Sequence, residues 1–132
     1  MQDPVERFLE SPAFAVAGAS TDRHKYGNKV LRCYLQHGRR VTPVNPREQE
    51  IEGLACVASV AALPDDVKAL SIVTPPPVTE QVVDAAIAKG IRHLWMQPGA
   101  ESPAAVARAE QAGLNVIADG TCLLVVLGYS ER

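Results

Sequence analysis

Apolar positions along the chain fall into two alternating rhythms. Short β-branched or small apolar runs, Ala13 to Gly18, Arg40 to Val44, Val67 to Thr74, Ile91 to Met96 and Leu114 to Ala118, read as strands. Between them lie segments of helical spacing. From Lys25 to Gln36, Val30, Leu31, Tyr34 and Leu35 share one side of a helix, and His37-Gly38 supplies its stop. Val78 to Lys89 predicts a second long helix ending at Gly90, and Ser102 to Ala112 a third, with Ser102 as N-cap and Pro103 at the first helical position. A stub around Val5 to Leu9 precedes the first strand. Glu52 to Val57 reads as a short strand or turn, and Ser59 caps a brief helix that stops at Leu63-Pro64. The apolar tail, Cys122 to Leu127, predicts another short strand or a packed arm.

Strands alternating with helices of this length are the mark of βαβ units. The expected fold is a doubly wound parallel sheet of the α/β class, in a single domain spanning residues 1–132. In such sheets ligands bind outside the carboxyl ends of the strands, where the strand order reverses. Four tips should therefore share one edge: Gly18 to Ser20, Asn45 to Arg47, Thr74 to Pro77, and Gln97 to Gly99.

Composition narrows what that edge can do. A length of 132 residues leaves room for one core and not for a second, substrate-binding domain. Net charge is −2 with the charges scattered, which argues against nucleic acid or an anionic membrane as the main partner. With 5% aromatic residues, the core is expected to be built from Val, Ala, Leu and Ile. No basic n-region precedes an apolar run at the N-terminus, and no stretch is long enough for a membrane helix, so a cytoplasmic location is expected. Cys33, Cys56 and Cys122 have no disulfide or metal spacing and read as buried thiols.

The first tip sets small residues, Gly18, Ala19 and Ser20, before the helix that begins at Lys25, with Tyr26 and Gly27 at its entry. Backbone amides and a helix N-terminus pointed at one space suit a pyrophosphate, and Arg23, His24 and Lys25 can add positive charge. A G-x-G-x-x-G fingerprint starting at Gly18 would need glycine at Ser20 and Arg23, so the dinucleotide motif fails. The second tip, Asn45-Pro46-Arg47, lacks the acid that grips an NAD ribose. Arg47 is either an ordinary surface arginine or the partner of a ribose phosphate, as found in coenzyme A and NADP. At the third tip, Thr74-Pro75-Pro76-Pro77 makes a stiff wall that can flank an adenine or a pantetheine arm, or serve only as a strand exit. The fourth offers the Gln97 carboxamide; Trp95, alternating with Ile91 and His93, reads as core.

The segments VAGAS, Gly27, VTPVNP, SIVTPPP, KGIRHLWMQPG and EQAGLNVIAD, with Cys122 shortly after, resemble the small CoA-binding proteins related to the N-terminal domain of the succinyl-CoA synthetase alpha subunit. The resemblance runs from Phe14 to Val125. It implies a Rossmann-like CoA-binding fold, with Gly18, Ala19 and Ser20 on the phosphates, Asn45, Pro46 and Arg47 at the nucleotide end, and Thr74, Pro75 and Pro76 along the groove. One departure stands out: the family closes with Asp-Arg-Cys, an apolar pair and Glu, whereas this chain reads Asp119-Gly120-Thr121-Cys122 followed by Leu123 and Leu124.

No catalytic apparatus and no metal-ligand set is apparent. His24, His37 and His93 have no nucleophilic partner implied, and the synthetases resembled here work with a phosphohistidine-bearing domain for which this chain has no room. The leading expectation is a binding module for coenzyme A or an acyl-CoA, which senses, carries or presents it, with its thiol end along the proline wall and a protein partner or a second copy of the chain left open. The alternative is the NADP-binding domain of a minimal oxidoreductase, and a third reading is a scaffold whose site has decayed. Cys122 is read as a packed thiol, with a reactive thiol beside the coenzyme as the other reading.

Overall fold

The computed structural model describes residues 3–131. Its strands are β1 (Phe14–Ala17), β2 (Val41–Val44), β3 (Glu50–Ile51), β4 (Leu54–Ala55), β5 (Ala69–Ile72), β6 (His93–Met96) and β7 (Asn115–Ile117). Its helices are α1 (Pro4–Leu9), α2 (Tyr26–Gln36), α3 (Pro76–Lys89), α4 (Pro103–Gln111) and α5 (Leu123–Leu127), with a 3-10 turn at Val60–Ala62. Five strands form one sheet in the order β2-β1-β5-β6-β7, and every pair is parallel. After β2 the chain crosses to the other side of β1, so the order reverses between β1 and β5. That is the doubly wound arrangement expected, and it puts the switch point beside Gly18.

Side chains alternate across the sheet. Ala15, Ala17, Leu70, Ile72, Leu94 and Met96 face α3, α4 and the 3-10 turn in a core of small and aliphatic residues. Phe14, Val16, Ala69, Trp95 and Ile117 face α1, α2 and α5. Here the expectation of an aliphatic core needs correcting. Four of the chain's six aromatic side chains converge on this face: Phe14 stacks on Tyr34 with ring centroids 4.9 Å apart, and Phe8 meets the Trp95 ring edge-on at 5.3 Å. Such pairs add about 0.5–1.5 kcal/mol each beyond their area. Their polar atoms are accounted for, since Tyr34 Oη lies 2.6 Å from Ser71 Oγ and Trp95 Nε1 donates to the Thr121 carbonyl.

Three further expectations change. The tail is neither strand nor extended arm but helix α5, whose Leu123 is buried against the aromatic face. An added strand would have lain at a sheet edge, whereas a helix closed by Gly128 at φ +84 covers the face beside α2. Helix α3 starts at Pro76 rather than Val78, because prolines fit the first turn, where no N–H bond is needed. Only Cys33 is fully buried; Cys56 and Cys122 are half-buried. Among the described residues no helix is long and apolar enough to cross a membrane.

Two glycines fix how β1 meets its neighbours. Gly18 has φ +90, and a Cβ there would stand 2.1 Å from the Val73 carbonyl oxygen at the end of β5. A Cβ on Gly27 would stand 2.0 Å from the Gly18 carbonyl oxygen. The chain thus brings the start of α2 against the β1 tip with no room for a side chain, although the two glycines are nine residues apart.

Gly27→Ala must displace backbone, so denaturant titration should show a loss of about 1–3 kcal/mol, as overpacking does, despite alanine's better helix propensity. A second expectation concerns His93, whose pKa burial holds below the ordinary histidine value, aided by Arg7 and Arg92. Its Nδ1 lies 3.1 Å from Asn115 Nδ2, an amide that can donate only to an unprotonated ring nitrogen. With the folded pKa below the unfolded one, the stability His93 contributes is present above the unfolded value near 6.5 and is lost as pH falls through the folded one. Thermal melts from about pH 7.5 to pH 5 should show a destabilisation that His93→Gln reduces.

Candidate functional site

The tips of β1, β2, β5 and β6 lie at one edge, and two hollows meet there across Gly18 and Asn45. On the β2–α3 side is an apolar slot of about 320 Å³, walled chiefly by Val44, Pro46, Val60, Val78 and Val82. On the other side is a polar cradle of about 400 Å³, formed by Gly18, Ala19, Ser20, Lys25, Tyr26, Gly27, Asn45 and Val73. A flat apolar ring suits the first hollow and an anion the second.

The cradle is held from behind by a polar spine. Asn28, fully buried on α2, donates to the Ser20 carbonyl at 2.8 Å and to Glu52 Oε2 at 3.1 Å, and its Oδ1 accepts from Arg32 Nε at 2.6 Å. Arg32, 5% exposed, donates in turn to the Arg23 carbonyl at 2.8 Å and pairs with Glu131 at 3.4 Å. Asn45 ties the second tip to the first, donating to the Ala19 carbonyl at 2.8 Å while its own Oδ1 accepts the Arg47 amide. The Ser20 hydroxyl oxygen accepts the Asp22 amide at 3.0 Å, leaving its proton free to donate. No side chain caps α2; the Asn28 amide is taken by the Lys25 carbonyl at 3.2 Å, whereas the Tyr26 and Gly27 amides, on residues that line the cradle, have no acceptor among the described residues.

Of the residues expected from sequence, Gly18, Ala19, Ser20, Lys25, Tyr26, Gly27 and Asn45 come together in the cradle, and Pro46 and Thr74 join the slot. The others fall elsewhere. The Arg23 guanidinium turns to Glu52 at 3.4 Å and lines neither hollow. Pro75 and Pro76 are exposed at the α3 start, and the slot wall is made instead by α3 residues beyond them. The imidazole of His24 faces solvent beside Asp22. Arg47 is exposed next to the slot and carries no ion pair among the described residues.

Gln97 is fully buried behind Tyr26, where its Oε1 accepts from the Leu123 amide at 2.9 Å and from the Tyr26 hydroxyl at 3.3 Å. The Tyr26 hydroxyl also makes a short contact with Cys122 Sγ. Burial, with the Cys122 contact adding to it, pushes the Tyr26 phenol well above its ordinary pKa, so it stays protonated.

Sequence reasoning missed Asn28, Arg32 and Glu52. The first two carry a signal, a polar pair at i, i+4 on a helix whose other faces pack. Glu52 is delivered by the β3–β4 hairpin, whose turn residues Glu52 and Gly53 both have positive φ, and nothing in the linear order ties it to α2.

Two other hollows suit an anion less well. A cavity of about 450 Å³ between α1, α4 and β7 is flanked by Asp3, Glu110 and Asp119, which repel one. At the opposite sheet edge, Arg7 and Arg92 line a hollow where the chain leaves α3 and α4, so helix C-termini oppose an anion there. No group of three or more His, Cys, Asp or Glu is placed to hold a metal among the described residues.

The family profile of the CoA binding domain matches residues 12–128. The chain is 33% identical over 89 residues to the alpha subunit of an ADP-forming acetate–CoA ligase II from Pyrococcus furiosus, a stretch covering 67% of this chain and 20% of that subunit. It therefore spans about a fifth of that relative's length. Among solved structures, a conserved hypothetical protein from Pyrococcus furiosus superposes with a TM-score of 0.82 at 44% identity, covering 86% of this chain and 97% of the other. A dinucleotide-forming acetyl-coenzyme A synthetase 1 from Ca. Korarchaeum cryptofilum, in complex with phosphate and ADP, superposes at 0.78 and 31% identity, covering 88% of this chain and 27% of that one. With the profile spanning most of its length and a Rossmann-like parallel sheet of five strands, this chain belongs to the CoA binding domain family.

Proposed function

We propose that this domain binds coenzyme A or an acyl-CoA across the switch point of the sheet and presents it, with no catalytic constellation of its own. The observation that carries the reading is the pairing of an apolar slot with an amide-lined cradle on either side of Gly18 and Asn45. The slot takes the adenine between Pro46 and the Val78–Val82 side of α3. The cradle takes the pyrophosphate, with α2 amides, the Ser20 hydroxyl and Lys25 supplying donors and charge. Arg47, next to the slot and unpaired, suits the ribose 3′-phosphate that distinguishes coenzyme A from NAD. Of the other candidates from sequence, Arg23 supports the loop, Thr74 the slot and Gln97 the far end, whereas Pro75 and Pro76 only start α3.

The relatives fit this reading through the words that describe them: CoA ligases and an acetyl-coenzyme A synthetase. Those proteins are several times longer than this chain, and the role we propose for the domain itself is presentation of the coenzyme to a separate partner. An NADP domain would use the same arginine. It would also need the pyrophosphate turn of the dinucleotide motif, whose second and third glycines are Ser20 and Arg23 here.

Calorimetry on one sample separates the readings: CoA is expected to bind, NADP weakly, and NAD more weakly still. Binding of NADP alone would overturn the proposal. Arg47→Glu should weaken CoA by about 10-fold, as one reversed exposed ion pair allows, and 3′-dephospho-CoA much less. Equal losses for the two ligands would place the 3′-phosphate elsewhere.

A further inference from the structure

Beyond the cradle, the edge holds a cluster that phosphate and adenine binding leave unused. Slot, Gly18–Asn45 saddle, cradle and Tyr26 follow one another along the edge. A ligand with its adenine in the slot and its pyrophosphate in the cradle has its remaining arm leaving past Tyr26. The hydroxyl of Tyr26 touches both Cys122 Sγ and Gln97 Oε1.

Gln97 supplies a second, independent sign that something binds here. Its amide orientation is fixed, because the Leu123 N–H can only donate and so requires Oε1. The other end, Nε2, is buried without a hydrogen-bond partner among the described residues. An orphaned buried donor of this kind costs about 1–3 kcal/mol. A carbonyl on the arriving arm would relieve it, and the arm of coenzyme A carries amide carbonyls before ending in a thiol.

From this geometry we propose that Cys122 is a thiol-exchange site for the coenzyme: it forms a mixed disulfide with the coenzyme's sulfur, taken from a disulfide form of coenzyme A. The inference rests on the binding reading above. Cys122 gives its proton to solvent and its sulfur attacks the coenzyme sulfur of the bound disulfide. The new S–S bond forms as the old one breaks, and the departing thiolate takes up a proton, so one disulfide replaces another with no net oxidation.

The other two thiols are poorly suited to this. Burial pushes Cys33 up to about 11, and nearby Cys122 adds to that shift. Cys56 is raised by burial as well, and its S–H points to the Asn45 and Val57 carbonyls. Cys122 is half-buried at the strand tips, beside a phenol that stays protonated and can turn its one proton from Gln97 Oε1 to a thiolate.

The test uses the whole chain. Protein is incubated with coenzyme A disulfide and, separately, with glutathione disulfide at equal concentration, and adducts are read by intact mass and peptide mapping. The expected result is one coenzyme added, on Cys122, about 10-fold or more faster than glutathione because the bound ligand raises the effective concentration. Dithiothreitol should release it, and Cys122→Ser should gain none; Cys122→Ala serves as the second variant, with circular dichroism showing which of the two is folded. Equal rates for the two disulfides, a label on Cys56, or no label at all would overturn the exchange. Calorimetry of reduced CoA on wild-type protein assigns the failure. CoA bound without an adduct overturns the exchange alone, whereas neither binding nor an adduct overturns the binding reading with it.

Discussion

The backbone of β1 has nowhere to put a side chain at its end. Gly18 lies against the Val73 carbonyl and Gly27 against the Gly18 carbonyl, at distances where a Cβ would stand within about 2 Å of an oxygen. This double approach lets α2 begin directly over the switch point, so that its first amides, the small residues after β1 and the tip of β2 face one volume. With either glycine replaced, the helix start must retreat from the sheet, and the cradle is the space that changes. Fold and candidate site therefore depend on the same contact. The third glycine of the dinucleotide motif packs helix on strand in the same way, so the longer loop here keeps that function while changing what the loop displays.

The two faces of the sheet divide the work. The face toward α3 and α4 is aliphatic and leaves the apolar slot at its upper end. The opposite face is stiffened by Phe8, Phe14, Tyr34 and Trp95, and it also carries the polar spine from Asn28 through Arg32 to the loop carbonyls. A buried arginine is costly unless every donor finds an acceptor. Here the acceptors are the Asn28 side chain, the Arg23 carbonyl and Glu131, which draws the end of the chain against the loop. The turn after β1 is thus anchored by charge and hydrogen bonds and needs little apolar packing of its own.

Charge at the edge is arranged with economy. Arg23 is neutralised by Glu52, and His24 lies beside Asp22. Lys25, on the cradle wall, and Arg47, two residues after Asn45, remain exposed. The edge thus offers two exposed cations rather than a block of four, as fits a chain with a net charge of −2 better than a broad nucleic-acid surface would.

The order of strands and helices, the parallel sheet and the edge where its strand tips gather were legible from periodicity, because βαβ units leave few topologies once strands and helices alternate. So were the residues of the first two tips, since glycine, serine and asparagine at strand ends have local reasons to be there. What the linear order could not carry is which distant groups meet. The aromatic cluster gathers residues from α1, β1, α2 and β6; Glu52 reaches α2 only because a two-residue turn aims it; and the tail folds as α5, which buries Leu123 on the aromatic face. Gln97 and Cys122 both meet Tyr26 of α2, from which they lie 71 and 96 residues away in sequence. Such contacts depend on packing in three dimensions, where the energy of a side chain is set by neighbours that the spacing of letters does not record.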